Sequence, residues 1–217
     1  MEGGMRLITI GCSNTYGQAL PDCAVYEPLI KKWHGTDKPS KFAFPQLLAD
    51  KLGCDLHNLS VPGGSNRHIW WEAINFDFHK DDIVILVWTF PNRHALISPN
   101  HTEHLGCWPS AVRANRDFQR YVASSNSNLD LNITSYLYMD HINKHLQGRV
   151  SKILNYRVEH ELFNDVPDWC CVNFIDALNS IVREHEQDFA IDNIHYGVES
   201  HKRFAIKMFE DLTKHSN

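Results

Sequence analysis

The chain has 217 residues, 43% of them hydrophobic and 22% charged, an ordinary composition for a globular protein with a substantial buried core. Its formal net charge of −5, without any lysine- or arginine-rich block, argues against a nucleic-acid-binding surface, which needs a basic stripe. No segment approaches the roughly 18 consecutive apolar residues of a membrane span. The residues from Met1 to Arg6 make a poor n-region because they carry only one basic side chain, so we do not expect a signal peptide.

The six cysteines do not form a recognisable disulfide or metal framework. Cys170 and Cys171 are adjacent, which is awkward for a simple set of disulfides, and no CxxC pair is present. We therefore expect mostly reduced cysteines and a cytoplasmic protein.

The first half of the chain alternates between predicted strands and helices. Apolar runs predict strands, and helical spacing of apolar residues predicts helices. The predicted elements are a strand at Leu7–Ile10, a helix at Phe42–Leu52 capped by Gly53, a strand at Asp55–Leu59, a helix from Ser65 to about Phe76, and a strand at Asp82–Trp88. The last strand is continuously apolar, which is typical of a central parallel strand covered on both faces.

The second half is less regular. Its predicted elements are a loop at Pro91–Pro109, helical material between Ala111 and Leu146, a fourth strand within Val150–Val158, a helix at Cys171–Glu184 and a C-terminal helix at Glu199–Thr213. The alternation predicts one domain over residues 1–217, a three-layer α/β/α sandwich of flavodoxin-like type with a mainly parallel sheet of about five strands.

Three turns of the predicted fold carry residues suited to chemistry. In the first, Ser13 follows the first strand, so it is presented at the carboxyl edge of the sheet, where ligands bind in open α/β folds. A helix-capping serine in a glycine turn is the alternative interpretation.

The second turn, Asn58–Asn66, follows the second strand and contains Gly63 and Gly64. Glycine lets the backbone approach a ligand closely, so the N–H of Gly63 can serve as an oxyanion donor. A simple βα turn with Ser65 capping the next helix is the alternative.

The third turn, Asp192–His195, lies near the C-terminus. A carboxylate three residues before a histidine can bond the near ring nitrogen and leave the far nitrogen free to take a proton from a serine. A surface aspartate beside a helix-capping histidine is the alternative, since DxxH alone is a weak signal.

The combination of turns resembles the SGNH (GDSL-like) hydrolase family. That family carries a serine block, a glycine block, an asparagine block and a DxxH block. Gly11–Ser13 is similar to the first block, Asn58–Gly63 to the second and Asp192–His195 to the last. The resemblance extends from Leu7 to Phe209. The sequence is similar to a divergent branch of the family that is associated with phage and bacterial genomes.

This resemblance implies a serine esterase. Ser13 is the expected nucleophile, His195 the general acid–base and Asp192 the group that orients it, while the N–H groups of Ser13 and Gly63 hold the oxyanion. The implied substrate is a small-molecule or carbohydrate ester with a small acyl group such as acetyl. No cofactor and no metal are implied, and a phage-encoded protein would be virion-associated.

Two departures from the family pattern stand out. Cys12 replaces the acidic residue that usually precedes the serine. The third block, normally Gly-x-Asn-Asp, is replaced by Trp88–Arg93. Asn66 and Asn92 are the candidates for the missing amide donor. Loss of one oxyanion donor costs on the order of a hundredfold or more in rate.

The damaged third block keeps an alternative function open: a catalytically weakened domain that acts as a binding or structural module. Two further signals compete with the serine. His94, His101, His104 and Cys107 have metal-ligand types at short spacing, although only one cluster is present. Cys12 is itself a candidate nucleophile, although most buried cysteines are inert.

Overall fold

The computed structural model describes residues 4–27, 32–98, 101–105, 128–182 and 184–214. The strands are β1 (Arg6–Ile10), β2 (Ala24–Glu27), β3 (Lys32–Gly35), β4 (Asp55–Asn58), β5 (Ile83–Trp88), β6 (His94–Ser98), β7 (His101–Leu105), β8 (Lys152–Arg157) and β9 (Phe174–Ala177). The helices are α1 (Ser13–Tyr16), α2 (Phe44–Leu52), α3 (Asn66–Asn75), α4 (Asn128–Leu146), α5 (Leu178–Ile181) and α6 (Val198–Lys214), with a 3₁₀ turn at Glu184–Glu186.

Five of the strands form a central sheet in the order β4-β1-β5-β8-β9, and every neighbouring pair is parallel. Successive side chains of a strand point to opposite faces, and β5 shows the result. Its odd-numbered residues pack with Phe44 of α2 and Phe204 of α6. Its even-numbered residues pack with Ile69 of α3 and Met139 of α4. The predicted three-layer α/β/α fold with a five-stranded parallel sheet is therefore confirmed.

The parallel sheet gathers its strand ends at one edge. Ile10 of β1 pairs with Leu86 of β5, so both strands end at the same edge of the sheet. The segments after β1 and β5 are consequently neighbours, as the sequence predicted. Within the described ranges, none of the helices has the length and apolar content that crossing a bilayer requires.

Two predicted elements are corrected. Part of the expected loop Pro91–Pro109 is an antiparallel hairpin of β6 and β7. The segment expected as the helix Cys171–Glu184 instead contains strand β9 and the single turn α5. β9 is a strand because it pairs with β8, a partner that a local sequence window does not show. β6 and β7 pair with each other, and their polar, histidine-rich sequence indicated a loop. The start of the helical material expected at Ala111 lies outside the described residues.

The buried residue His201 connects α2 and α6, the two helices that cover one face of the sheet. His201 of α6 is only 1% exposed, and its Nδ1 accepts the backbone N–H of Phe44 at 3.1 Å. The two rings also stack with centroids 6.0 Å apart. Burial lowers the pKa of His201 to about 3. The imidazole is therefore neutral when the protein is folded, as its acceptor role requires.

This histidine makes stability depend on pH. Its pKa rises from about 3 in the folded protein to 6.5 on unfolding, so the unfolded chain takes up a proton as the pH falls below 6.5 and folded stability decreases. In His201→Asn, the amide oxygen can still accept the Phe44 N–H but does not titrate. Wild type should lose about 2 kcal/mol relative to His201→Asn between pH 7 and pH 5, measured by urea unfolding.

The control is His185→Asn, since His185 is exposed. Its stability should follow that of wild type at every pH. A constant difference between wild type and His201→Asn over this range would contradict the buried neutral imidazole.

Candidate active site

Ser13 lies on a sharp turn that leaves β1. A Cβ on Gly11 would collide with the Thr15 hydroxyl and come within 3.2 Å of Val87 Cβ, so only glycine fits there. The carbonyl of Cys12 accepts the N–H groups of Thr15 and Tyr16, both at 3.0 Å, which starts α1 at Ser13. Ser13 is 4% exposed, whereas Cys12 is fully buried. The burial of Cys12 argues against its role as a nucleophile.

The second turn packs directly against the first. A Cβ on Gly64 would lie 2.8 Å from the Gly11 carbonyl oxygen and 3.4 Å from Cys12 Cα. Gly63 has φ +73°, and the N–H of Gly64 closes the turn on Val61 O at 3.1 Å. The bond that closes the turn therefore does not use the N–H of Gly63.

A side chain also connects these turns. Asn58, at the end of β4, donates to the Thr15 carbonyl at 3.1 Å and accepts the N–H of Ser60 at 3.1 Å. The serine turn and the glycine turn are consequently held together by backbone contact and by a side-chain bridge.

In the third turn the predicted carboxylate–imidazole contact is present. Asp192 Oδ2 lies 2.6 Å from His195 Nδ1. The other oxygen, Oδ1, accepts the backbone N–H groups of Ile194 at 3.0 Å and His195 at 3.1 Å. Asn193 between them has φ +56°, a left-handed conformation that asparagine tolerates. The carboxylate thus fixes both the loop and the ring.

The same bonds determine the charge of Asp192. Burial raises the pKa of its carboxyl, but the hydrogen bonds from the His195 side chain and from two backbone N–H groups outweigh burial, and the net pKa lies below its ordinary value. Asp192 is therefore ionised at neutral pH, as a group that orients and stabilises an imidazolium must be.

Both sides of this loop are anchored. Asp188 caps α6, because its carboxylate accepts the N–H of Glu199 at 2.9 Å and of Ser200 at 2.7 Å. At the other side, the N–H of Ile191 donates to Ala19 O at 3.2 Å, just beyond α1. The position of His195 is thus set relative to the serine turn.

Ser13 and His195 line the same cavity of about 380 Å³ at the carboxyl edge of the sheet. Its lining comprises Ser13, Asn14, Phe90, Arg93, Val158, Glu159, Asn179, Gln187, Ile194, His195 and Tyr196. The described residues include no hydrogen bond between Ser13 Oγ and the His195 ring, a bond that is often long in unliganded enzymes. Gly63 is not part of the lining, although its turn touches that of Ser13.

Most of this lining is polar and was not predicted. Burial and then neighbouring Glu161 raise the pKa of Glu159, while Arg93 opposes the shift. Burial, followed by the charge of Glu159, raises the pKa of Tyr196 to about 12. Tyr196 is therefore a neutral phenol that can donate or accept a hydrogen bond. These residues sit on connections after β8 and near α6, and no motif marks them.

The amide candidates of the third block are not placed as the sequence suggested. Asn66 is 3% exposed. Its Nδ2 donates to Thr89 O at 2.9 Å and to Ser135 Oγ at 3.1 Å. Its Oδ1 accepts the Thr89 N–H at 2.9 Å. Both amide hydrogens are thus used inside the protein, and Asn66 lines a separate cavity of about 80 Å³. Asn92 is exposed and does not line the Ser13 cavity. The expectation of an amide donor from Asn66 or Asn92 disagrees with these positions.

A metal site in the histidine-rich segment remains a hypothesis from the sequence. No group of three or more metal-ligating side chains occurs among the residues that the structure describes. Cys107 lies outside those residues, and His101 and His104 are described only as backbone. The five described cysteines are all free.

Comparison with known proteins identifies the fold. No protein-family model and no curated protein matches the sequence. Among solved structures, a carbohydrate esterase whose active site "displays divergent catalytic and non-catalytic binding functions" is similar over 100% of this chain and 70% of its own, with TM-score 0.57 and 11% identity. A member of the lipolytic G-D-S-L family from Veillonella parvula is similar over 97% of this chain and 100% of its own, with TM-score 0.50 and 11% identity. The expected SGNH/GDSL-like fold is confirmed, in a divergent form.

The position of Asn66 leads to a stability prediction. Asn66→Ala leaves the buried Thr89 backbone and Ser135 hydroxyl without their amide partner, so unfolding free energy should fall by about 2–3 kcal/mol. The measurement is urea unfolding at pH 7. Asn75→Ala is the control, because its exposed side chain bonds Trp71 O on the helix surface; that change should cost less than about 1 kcal/mol. Equal losses in the two variants would contradict a bridging role for Asn66.

Proposed function

We propose that this chain hydrolyses an ester through a covalent acyl-enzyme on Ser13. The observation that carries the proposal is that Ser13 and His195, the latter bonded to Asp192, line one cavity at the carboxyl edge of the sheet. The GDSL-like fold supports it, since the named structural neighbours are an esterase and a lipolytic protein.

In the proposed mechanism Ser13 Oγ attacks the substrate carbonyl carbon while His195 Nε2 takes the hydroxyl proton. Asp192 holds the Nδ1 side of the ring and stabilises the imidazolium. Collapse of the tetrahedral intermediate breaks the ester bond, and His195 delivers the proton to the leaving alcohol. Water, deprotonated by the same imidazole, then attacks the acyl-enzyme, releasing the acid and restoring Ser13.

Backbone donors hold the oxyanion in this proposal. The N–H of Ser13, at the start of α1, has no acceptor within the helix. Gly63 lies outside the lining of the cavity, but its turn packs against the serine turn and its N–H is not used in that turn's closing bond, which makes it the second donor in this proposal. Both donors are backbone groups on glycine-rich turns, so they are preorganised before substrate binds.

The lining supports a hydroxyl-rich substrate with a small acyl group, such as an acetylated carbohydrate. Asn14, Asn179 and Gln187 supply amides, and Tyr196 supplies a phenol. Such groups donate to and accept from hydroxyls, while Phe90 and Val158 provide limited apolar surface for an acyl chain.

A second candidate function is a binding module with weakened chemistry. The commitment of both Asn66 amide hydrogens inside the protein favours it, because the usual amide donor is then missing. In this alternative the cavity retains the ester without efficient turnover.

Variants of the three residues separate the candidates. Ser13→Ala and His195→Ala should each reduce hydrolysis of a neutral activated acetyl ester to the background rate, and the double variant should be scarcely worse, because nucleophile and base act as a unit. Asp192→Asn should lower kcat by up to about 10⁴-fold, since the amide favours the wrong imidazole tautomer. Initial rates give the comparison, with circular dichroism as the test of folding.

The matched control is Asn193→Gly, which removes an exposed side chain between Asp192 and His195 and keeps the left-handed backbone conformation. Its rate should stay close to wild type. Equal, low rates in wild type and all variants would contradict the esterase and favour the binding module.

A further inference from the structure

Arg93 is a cationic side chain in the lining of the Ser13 cavity, and the sequence motifs give it no role. It follows β5, the strand that pairs with β1, so its connection leaves the sheet beside the serine turn. Its backbone N–H donates to Phe90 O at 3.2 Å, forming a turn, and its guanidinium lies 5.0 Å from the centroid of the Phe90 ring. Arg93 lines the cavity together with Ser13 and His195.

One end of this guanidinium is buried without a partner. Arg93 Nη1 is closed to solvent, and it makes no hydrogen bond with the described residues. Burying a charged donor without an acceptor is costly, so the guanidinium is incompletely compensated by the protein. Because Arg93 lines the Ser13 cavity, negative charge that forms there is favoured. Contact with the Phe90 face offsets only part of that cost.

Neither Asn66 nor Asn92 offers a side-chain donor to the Ser13 cavity. Asn66 uses both amide hydrogens on Thr89 and Ser135, and Asn92 is exposed outside the cavity. Arg93 is thus the side-chain donor that the connection after β5 brings to the Ser13 cavity among the described residues. Guanidinium presents several N–H donors in a fixed planar fork.

We infer that Arg93 is a further catalytic residue, which donates a charged hydrogen bond to the oxyanion formed when Ser13 attacks the ester carbonyl. This inference rests on the proposed function. The guanidinium replaces the amide of the family's third block, and its charge stabilises the negative charge that forms on the tetrahedral intermediate in the cavity that Arg93 lines. Glu159 lines the same cavity, which disfavours the other use of Arg93, recognition of a permanently anionic substrate group.

The test compares Arg93→Gln and Arg93→Lys with wild type on a neutral acetyl ester. Arg93→Gln should lower kcat on the order of 10²–10³-fold with KM nearly unchanged, because the interaction forms only in the transition state. Arg93→Lys should retain part of the rate, since it keeps the charge but not the fork of donors. Binding of a neutral boronic acid, which becomes a tetrahedral anion on the serine, should weaken in parallel with kcat/KM.

Arg67→Gln is the matched control. Arg67 is exposed and borders the small cavity that Arg93 also lines, but not the Ser13 cavity. Its kinetics should equal those of wild type. Arg93→Ala should regain activity when guanidinium ion is added at low concentration, a readout that a merely structural role would not produce.

The outcomes separate this inference from the proposed function. Wild-type hydrolysis that Ser13→Ala abolishes and Arg93→Gln leaves intact would overturn the role of Arg93 alone. A raised KM confined to esters that carry a carboxylate, with an unchanged rate on the neutral ester, would overturn it in favour of substrate recognition. Wild type without Ser13-dependent hydrolysis would overturn both.

Discussion

The backbone contact between the serine turn and the glycine turn is the constraint on which the site depends. Gly64 approaches the Gly11 carbonyl and Cys12 Cα so closely that no side chain fits between them. That approach is available because β1 and β4 are parallel neighbours whose carboxyl ends meet at one edge. It brings the glycine turn against the serine turn without any flexible side chain, and hence gives the site a rigid base.

The remaining elements place polar groups around this base. Asp192 is kept ionised by hydrogen bonds that overcome its burial, whereas burial keeps Tyr196 neutral. Arg93 buries an Nη1 that has no hydrogen-bond partner among the described residues, an arrangement that the surrounding structure must stabilise. Such groups, held away from their preferred hydration, are typical of sites that bind or transform polar ligands.

Local patterns explain what the sequence could predict. β1 and β5 are apolar runs, α3 begins at a capping serine that accepts His68 N–H at 3.2 Å, and α2 ends at Gly53 with φ +66°. The Asp192–His195 contact is equally local, since His195 lies three positions after Asp192. For these features, the physical cause lies within one short window of sequence.

The features that sequence reasoning missed depend on distant partners. Asn66 lies on the glycine turn, where it suggested an oxyanion donor, but its partners Thr89 and Ser135 are 23 and 69 residues away. β9 exists as a strand because β8 offers an open edge. Arg93 acquires its significance only when folding brings the end of β5 to the serine turn.

The central claim, that Ser13 is an activated nucleophile in this cavity, is tested most directly by covalent labelling. Wild-type protein is treated with a fluorophosphonate and digested with trypsin, and fragment-ion mass spectrometry examines the peptide of residues 7–31, which contains both Cys12 and Ser13. The account predicts one adduct, on Ser13, that excess acetyl ester slows and that His195→Ala abolishes. An adduct on Cys12 or another residue, or no adduct on folded wild-type protein, would contradict it.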